Sequence, residues 1–90
     1  MRRRYIVSGR VQGVGFRQFT AEAGRGLALS GWVRNLANGD VEAEAEGPEA
    51  KILEFEKALR QGPSLGRVDS VKVDELPAVG SLPSPFQITR

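Results

Sequence analysis

Residues 31–46 leave this chain few folds to choose from. Asn38-Gly39 is flanked on both sides by strand-forming sequence, and a two-residue type I′ hairpin turn needs positive φ at both central positions, which these residues tolerate best. On the returning strand Val41, Ala43 and Ala45 alternate strictly with Glu42, Glu44 and Glu46, giving one apolar and one acidic face. That period of two makes the glutamates a solvated sheet face rather than a metal or acid–base cluster. Upstream, Gly31 to Ala37 is rich in strand formers and sets Trp32 and Val33 on opposite faces. A hairpin with one apolar face must be covered by another layer.

Helical patterns lie on either side of it. Phe19, Ala23 and Leu27 recur at i, i+4 and i+8, one helical stripe. Gly24 and Gly26 each cost roughly 1 kcal/mol in a helix interior, so either Gly24 gives close contact with the sheet or the helix ends near Gly26. Gly47-Pro48-Glu49 opens a second helix with proline and an acid in the favoured first turn. Ile52, Phe55 and Leu59 form its buried stripe and Gly62-Pro63 stops it.

Three more segments read as strands. Tyr5 to Arg10 alternates with Tyr5 and Val7 on one face and Ile6 on the other. The preceding Arg2, Arg3 and Arg4 are the only basic run and read as a solvated terminus. Over Gly66 to Leu76 the apolar positions shift from even to odd between Val68 and Val71, which predicts a β-bulge near Asp69 to Ser70. After a proline-rich loop from Pro77 to Pro85, Phe86 to Thr89 reads as a short closing strand. The order β-α-β-β-α-β with a short fifth strand predicts an α+β fold. Its form is the split βαβ two-layer sandwich, an antiparallel sheet with both helices on one face. At 90 residues the chain has room for one core, so 1–90 is expected to be a single domain.

Between the first strand and the first helix stands Gly9-Arg-Val-Gln-Gly-Val-Gly-Phe-Arg17. Three glycines let a backbone turn tightly enough for several amide N–H groups to converge on one point, and such a nest suits an anion. The helix N-terminus adds first-turn donors and partial positive charge. Arg17 can fork its guanidinium onto phosphate oxygens. A phosphate cradle and a purely steric turn both fit this spacing. No Lys-Ser or Lys-Thr follows the glycines and G-x-G-x-x-G is absent, so a nucleotide cofactor is not expected.

The composition removes several classes of chemistry. With no cysteine and no histidine, disulfides, thiolate catalysis, transition-metal sites and a histidine general base are excluded. A net charge of +2 is too small to point to nucleic acid. Nothing approaches the ~20 apolar residues of a membrane span, and the basic start lacks the apolar core of a signal peptide. The chain is expected to be cytoplasmic and to need neither metal nor cofactor.

The nine-residue loop and Gly31-Trp-Val-Arg-Asn35, whose Asn35 lies eighteen positions after Arg17, closely resemble the acylphosphatase family. The resemblance continues through Asn38-Gly39, Val41-Glu42, Glu46-Gly47-Pro48 and Phe86-x-Ile88. It implies a ferredoxin-like sandwich with strand order 4-1-3-2-5 and hydrolysis of small acyl phosphates to a carboxylate and inorganic phosphate. It further implies that Arg17 binds the phosphoryl group and that Asn35 positions the attacking water. Amides around Val14, Gly15 and Phe16 would complete the cradle. A monomer is expected. Two departures concern stability: the family usually has alanine at 24 and glycine at 28, where this chain has Gly24 and Ala28. An alanine in a left-handed helix cap costs roughly 1 to 2 kcal/mol, so a rearranged helix end is expected. An RNA-binding module on the same sandwich is a rival, weakened by the missing aromatic RNP1 pattern. A second rival is a domain acting on carbamoyl phosphate inside a larger maturation protein. The absence of zinc-finger cysteines favours a free-standing enzyme instead.

Overall fold

The hairpin forms as a ladder from Ser30↔Glu46 to Asn35↔Val41, joining β2 (Ser30–Asn35) to β3 (Val41–Glu46). Its turn differs from the expected type I′. Asn38 keeps a negative φ and only Gly39, at φ 97°, is positive. The Gly39 N–H donates to Leu36 C=O at 3.2 Å and the Leu36 N–H to Asp40 C=O at 2.8 Å. The loop is therefore three residues, a turn followed by a glycine at positive φ. Asn38 Oδ1 accepts from the Asp40 N–H at 3.0 Å, a local bond that holds asparagine in this alternative.

The computed structural model describes residues 1–90. It adds β1 (Arg2–Arg10), α1 (Phe16–Gly26), α2 (Glu49–Gln61), β4 (Arg67–Leu76) and β5 (Gln87–Ile88). The sheet order is β4-β1-β3-β2-β5, the ferredoxin-like arrangement. Tyr5 lies opposite Ala43 and Val7 opposite Val41, and Val33 is opposite Ala43. These side chains form one buried cluster with Phe16 and Ala21 of α1, Ile52, Phe55 and Leu59 of α2, and Phe86. No helix is long and apolar enough to cross a membrane.

The sheet is mixed, not wholly antiparallel, because β5 runs parallel to β2. Geometry forces this. β4 ends at the edge of the sheet where β1 begins, with Leu76 opposite Arg2. The proline-rich segment then crosses that end, where the Gly31 N–H donates to Pro83 C=O at 2.8 Å. A chain that enters beside the start of β2 can only continue in the direction of β2.

The basic run is not a solvated terminus but the first turn-free stretch of β1, and each arginine finds partners distant in sequence. Arg2 is 8% exposed and donates to the carbonyls of Val79 and Gly80 at 2.9 and 3.1 Å. It also pairs with Glu46 at 3.1 Å. Arg3 bridges Glu56 and Glu75, both at 3.2 Å. Glu42 corrects the reading of a solvated acidic face: it is 8% exposed, held by Arg34 at 2.7 Å and within 3.9 Å of Arg4.

Two further details concern backbone. The expected bulge lies at Asp69: Ser8 faces Ser70 while Gly9 faces Val68. A Cβ on Gly9 would sit 2.2 Å from the Arg67 carbonyl oxygen, so the bulge closes over a residue with no side chain. The buried stripe of α1 is turned from the expected one. Phe16, Thr20, Ala21 and Gly24 are buried, whereas Ala23 and Leu27 pack only in part. Phe16 anchors the helix because its first turn leans over the core, which spacing alone assigned to the loop.

Candidate active site

Three elements end together at one pole of the sandwich. β1 and β2 both run antiparallel to β3, so their C-terminal ends lie on the same side, and α1 begins there. Gly13 and Gly15 have φ of 76° and 78°, and a Cβ on either would meet nothing within 4 Å. Their need for glycine is conformational rather than spatial. Gly15 caps α1 in the left-handed region with no side-chain bond. The first intrahelical bond runs from the Phe19 N–H to Gly15 C=O at 2.9 Å. None of the amides from Gly13 to Gln18 donates to another backbone carbonyl, so six consecutive donors remain at the positive end of a helix.

A cleft of about 250 Å³ opens over these amides, lined by Val11, Gly13, Gly15, Phe16, Arg17, Gln18, Asn35 and Ile88. Arg17 and Asn35, expected from sequence, thus share one cavity. Gly15 and Phe16 line it as well; Val14 does not, and packs in part against the core. Asn35 is the last residue of β2, on the face that carries Val33. Its Oδ1 is buried and has no hydrogen-bond partner, and such an acceptor is poised for a donor arriving in the cleft. Arg17 makes no salt bridge to any carboxylate, which leaves its fork free for an anion.

Sequence reading did not single out Gln12, Gln18 or Ile88. Gln12 donates from Nε2 to the carbonyls of Leu36 and Asp40, both at 2.8 Å. Ile88, 39% exposed, reaches the cleft because β5 pairs alongside β2, with Val33 opposite Ile88. Neither contact could be found from spacing, since both join segments more than twenty residues apart.

Comparisons with known proteins identify the family. An Acylphosphatase family model matches residues 3–88. The acylphosphatase of Anaeromyxobacter dehalogenans is 49% identical over 82 residues, covering 91% of this chain and 88% of that one. The crystal structure of the Bacillus subtilis acylphosphatase superposes with a TM-score of 0.94 at 38% identity, covering 99% of this chain and 98% of that chain. Full-length HypF, solved in a phosphate- and nucleotide-bound form, contains a similar region. There the TM-score is 0.85 and the identity 29%, over 99% of this chain but 12% of HypF. On the extent of the family match and the near half-identity to proteins of that name, the chain belongs to the acylphosphatase family of enzymes.

Proposed function

We propose that the chain hydrolyses acyl phosphates without metal, holding the phosphoryl group in the glycine loop and aiming water at it with Asn35. The observation that carries this reading is the convergence of free loop amides, the unpaired Arg17 guanidinium and the orphaned Asn35 Oδ1 on one cleft. Acyl phosphates have a good leaving group, so orientation and charge stabilisation matter more than a strong base. The amides of Gly15 and Phe16 and the Arg17 guanidinium donate to the phosphoryl oxygens and gain most as charge spreads over them in the transition state. Asn35 Oδ1 accepts a hydrogen bond from water and turns its lone pair towards phosphorus. As the water oxygen bonds to phosphorus, the bond from phosphorus to the acyl oxygen breaks and the carboxylate departs with that electron pair. The water proton passes to a phosphoryl oxygen, so no histidine is required. The products are a carboxylate and inorganic phosphate, and phosphate should compete for the same cradle.

The test is hydrolysis of benzoyl phosphate by the purified chain in the presence of EDTA. Turnover unaffected by the chelator and competitively inhibited by phosphate is expected. No turnover, or turnover that the chelator abolishes, overturns the reading.

A further inference from the structure

Gln12 lies two residues after β1, inside the glycine loop, yet its side chain points out of the loop and into the β2–β3 turn. Its Nε2 gives one hydrogen to Leu36 C=O and the other to Asp40 C=O, each at 2.8 Å. Those two residues close the hairpin, since the Leu36 N–H also donates to Asp40 C=O. Leu36 directly follows Asn35. Of the side-chain hydrogen bonds in the molecule, these two alone join the loop to the hairpin.

We propose that Gln12 is a positioning residue for hydrolysis: by clamping the loop to the turn one residue beyond Asn35, it fixes the separation between the phosphoryl cradle and the water-aiming carboxamide. This rests on the reading of the cleft given above. The cradle itself is shaped by the positive φ of Gly13 and Gly15, which the two glycines adopt without a side chain of their own. Loss of the clamp therefore leaves phosphate binding in place and spoils the alignment of water with phosphorus. A displacement near 1 Å can lower a rate by about 100-fold.

The experiment compares kcat, KM and the phosphate inhibition constant for the parent, Gln12→Ala, Asn35→Ala and the double variant, with calorimetry counting phosphate sites per chain. Gln12→Ala should lower kcat by about 10- to 100-fold while KM and phosphate inhibition shift less than about 3-fold. Phosphate should still bind at one site per chain, which separates misalignment from partial unfolding. In the Asn35→Ala background the same change should cost less than about 3-fold, because the residue acts through Asn35. Gln12→Glu, of equal size but lacking the donor pair, should reproduce the kcat loss if the alanine variant folds poorly. Unchanged kcat, equal losses of kcat and phosphate binding, or full additivity with Asn35→Ala each overturn the proposal. A parent chain that hydrolyses no acyl phosphate sinks the reading of the cleft and this inference with it. An active parent with an undisturbed Gln12 variant sinks this inference alone.

Discussion

The two poles of the sandwich treat their hydrogen bonds in opposite ways. At the pole where β1 and β2 end and α1 begins, six amides and the Asn35 carboxamide oxygen are left without protein partners. At the other pole side chains tie the layers to one another, although the buried Nε atoms of Arg2 and Arg3 have no partner. Arg2 binds two carbonyls of the crossing segment and Glu46, and Arg25 Nε donates to Phe86 C=O at 2.8 Å. There α1 closes with paired bonds from the Ala28 N–H to Arg25 C=O at 3.0 Å and from the Leu29 N–H to Gly24 C=O at 2.9 Å, a Schellman cap. Gly13 and Gly15 serve positive φ in open space, whereas Cβ atoms at Gly24 and Gly31 would lie 2.4 and 2.3 Å from the Phe86 ring. If the open pole takes the phosphoryl group as proposed while the other holds the layers together, substitutions at the two should separate activity from stability.

The largest effects should come at the open pole. Asn35→Ala should cut turnover by about 100-fold or more, by analogy with loss of one positioned hydrogen-bonding group, while the thermal midpoint moves little. Arg17→Ala should in addition abolish inhibition by phosphate. Benzoyl phosphate kinetics beside thermal melts check both, and a variant as active as the parent would break the division of roles. A large loss of stability in either would break it too, by showing that this pole also carries structural weight.

At the closed pole Gly24→Ala should do the reverse. Its Cβ would meet the buried Phe86 ring at 2.4 Å, and overpacking of this kind costs up to about 3 kcal/mol. For a chain of this size that lowers the melting temperature by roughly 10 °C or more. Turnover per folded molecule at 25 °C should stay at the parent value, measured against phosphate-binding sites.

Somewhat smaller is the effect of Tyr5, whose ring packs edge-on to Phe55 at 5.6 Å. Burial, reinforced by the Glu56 carboxylate, pushes its phenol up to about 12. Between pH 10 and 12 the unfolded chain has lost a proton that the folded chain keeps, so stability falls as pH rises through that window. The loss approaches about 2 kcal/mol. Tyr5→Phe should flatten this decline in urea melts at pH 8, 10 and 12; an identical slope in both proteins would refute the assignment to Tyr5.

The same contrast explains what the sequence made legible. Local rules announce themselves locally: strict alternation at Val41–Glu46, the parity shift that marks the Asp69 bulge, and glycines spaced for positive φ. The strand order followed from resemblance, and Arg17 and Asn35 were picked out from motifs at a fixed separation. Hidden were the groups whose partners come from afar. Arg2 to Arg4 looked solvated because their carboxylates and carbonyls come from residues 42 to 80. Phe16 looked like a loop residue because its burial depends on the tilt of α1 over the sheet. The direction of β5 depends on where the crossing segment re-enters, and the clamp made by Gln12 on a turn formed 24 residues later. Neither is written in any local periodicity.

The smallest effect probes the join between the poles, α1 itself. Ala28 is the only non-glycine residue at positive φ, 56°, and it occupies the Schellman position where glycine carries no steric penalty. Left-handed geometry costs alanine about 1 to 2 kcal/mol, while glycine in its place adds conformational entropy to the unfolded chain worth about 0.5 to 1 kcal/mol. Ala28→Gly should therefore stabilise by roughly 0.5 to 1 kcal/mol and raise the melting temperature by about 2 to 6 °C. Both cap hydrogen bonds survive the change, so α1 keeps its length and its first turn should present the same amides to the cleft. Equal kcat and phosphate inhibition in the stabilised variant would sharpen the separation of the poles. A change in either would mean that strain at Ala28 is transmitted along the helix to Gly15, and that the open pole depends on how tightly the closed one is drawn.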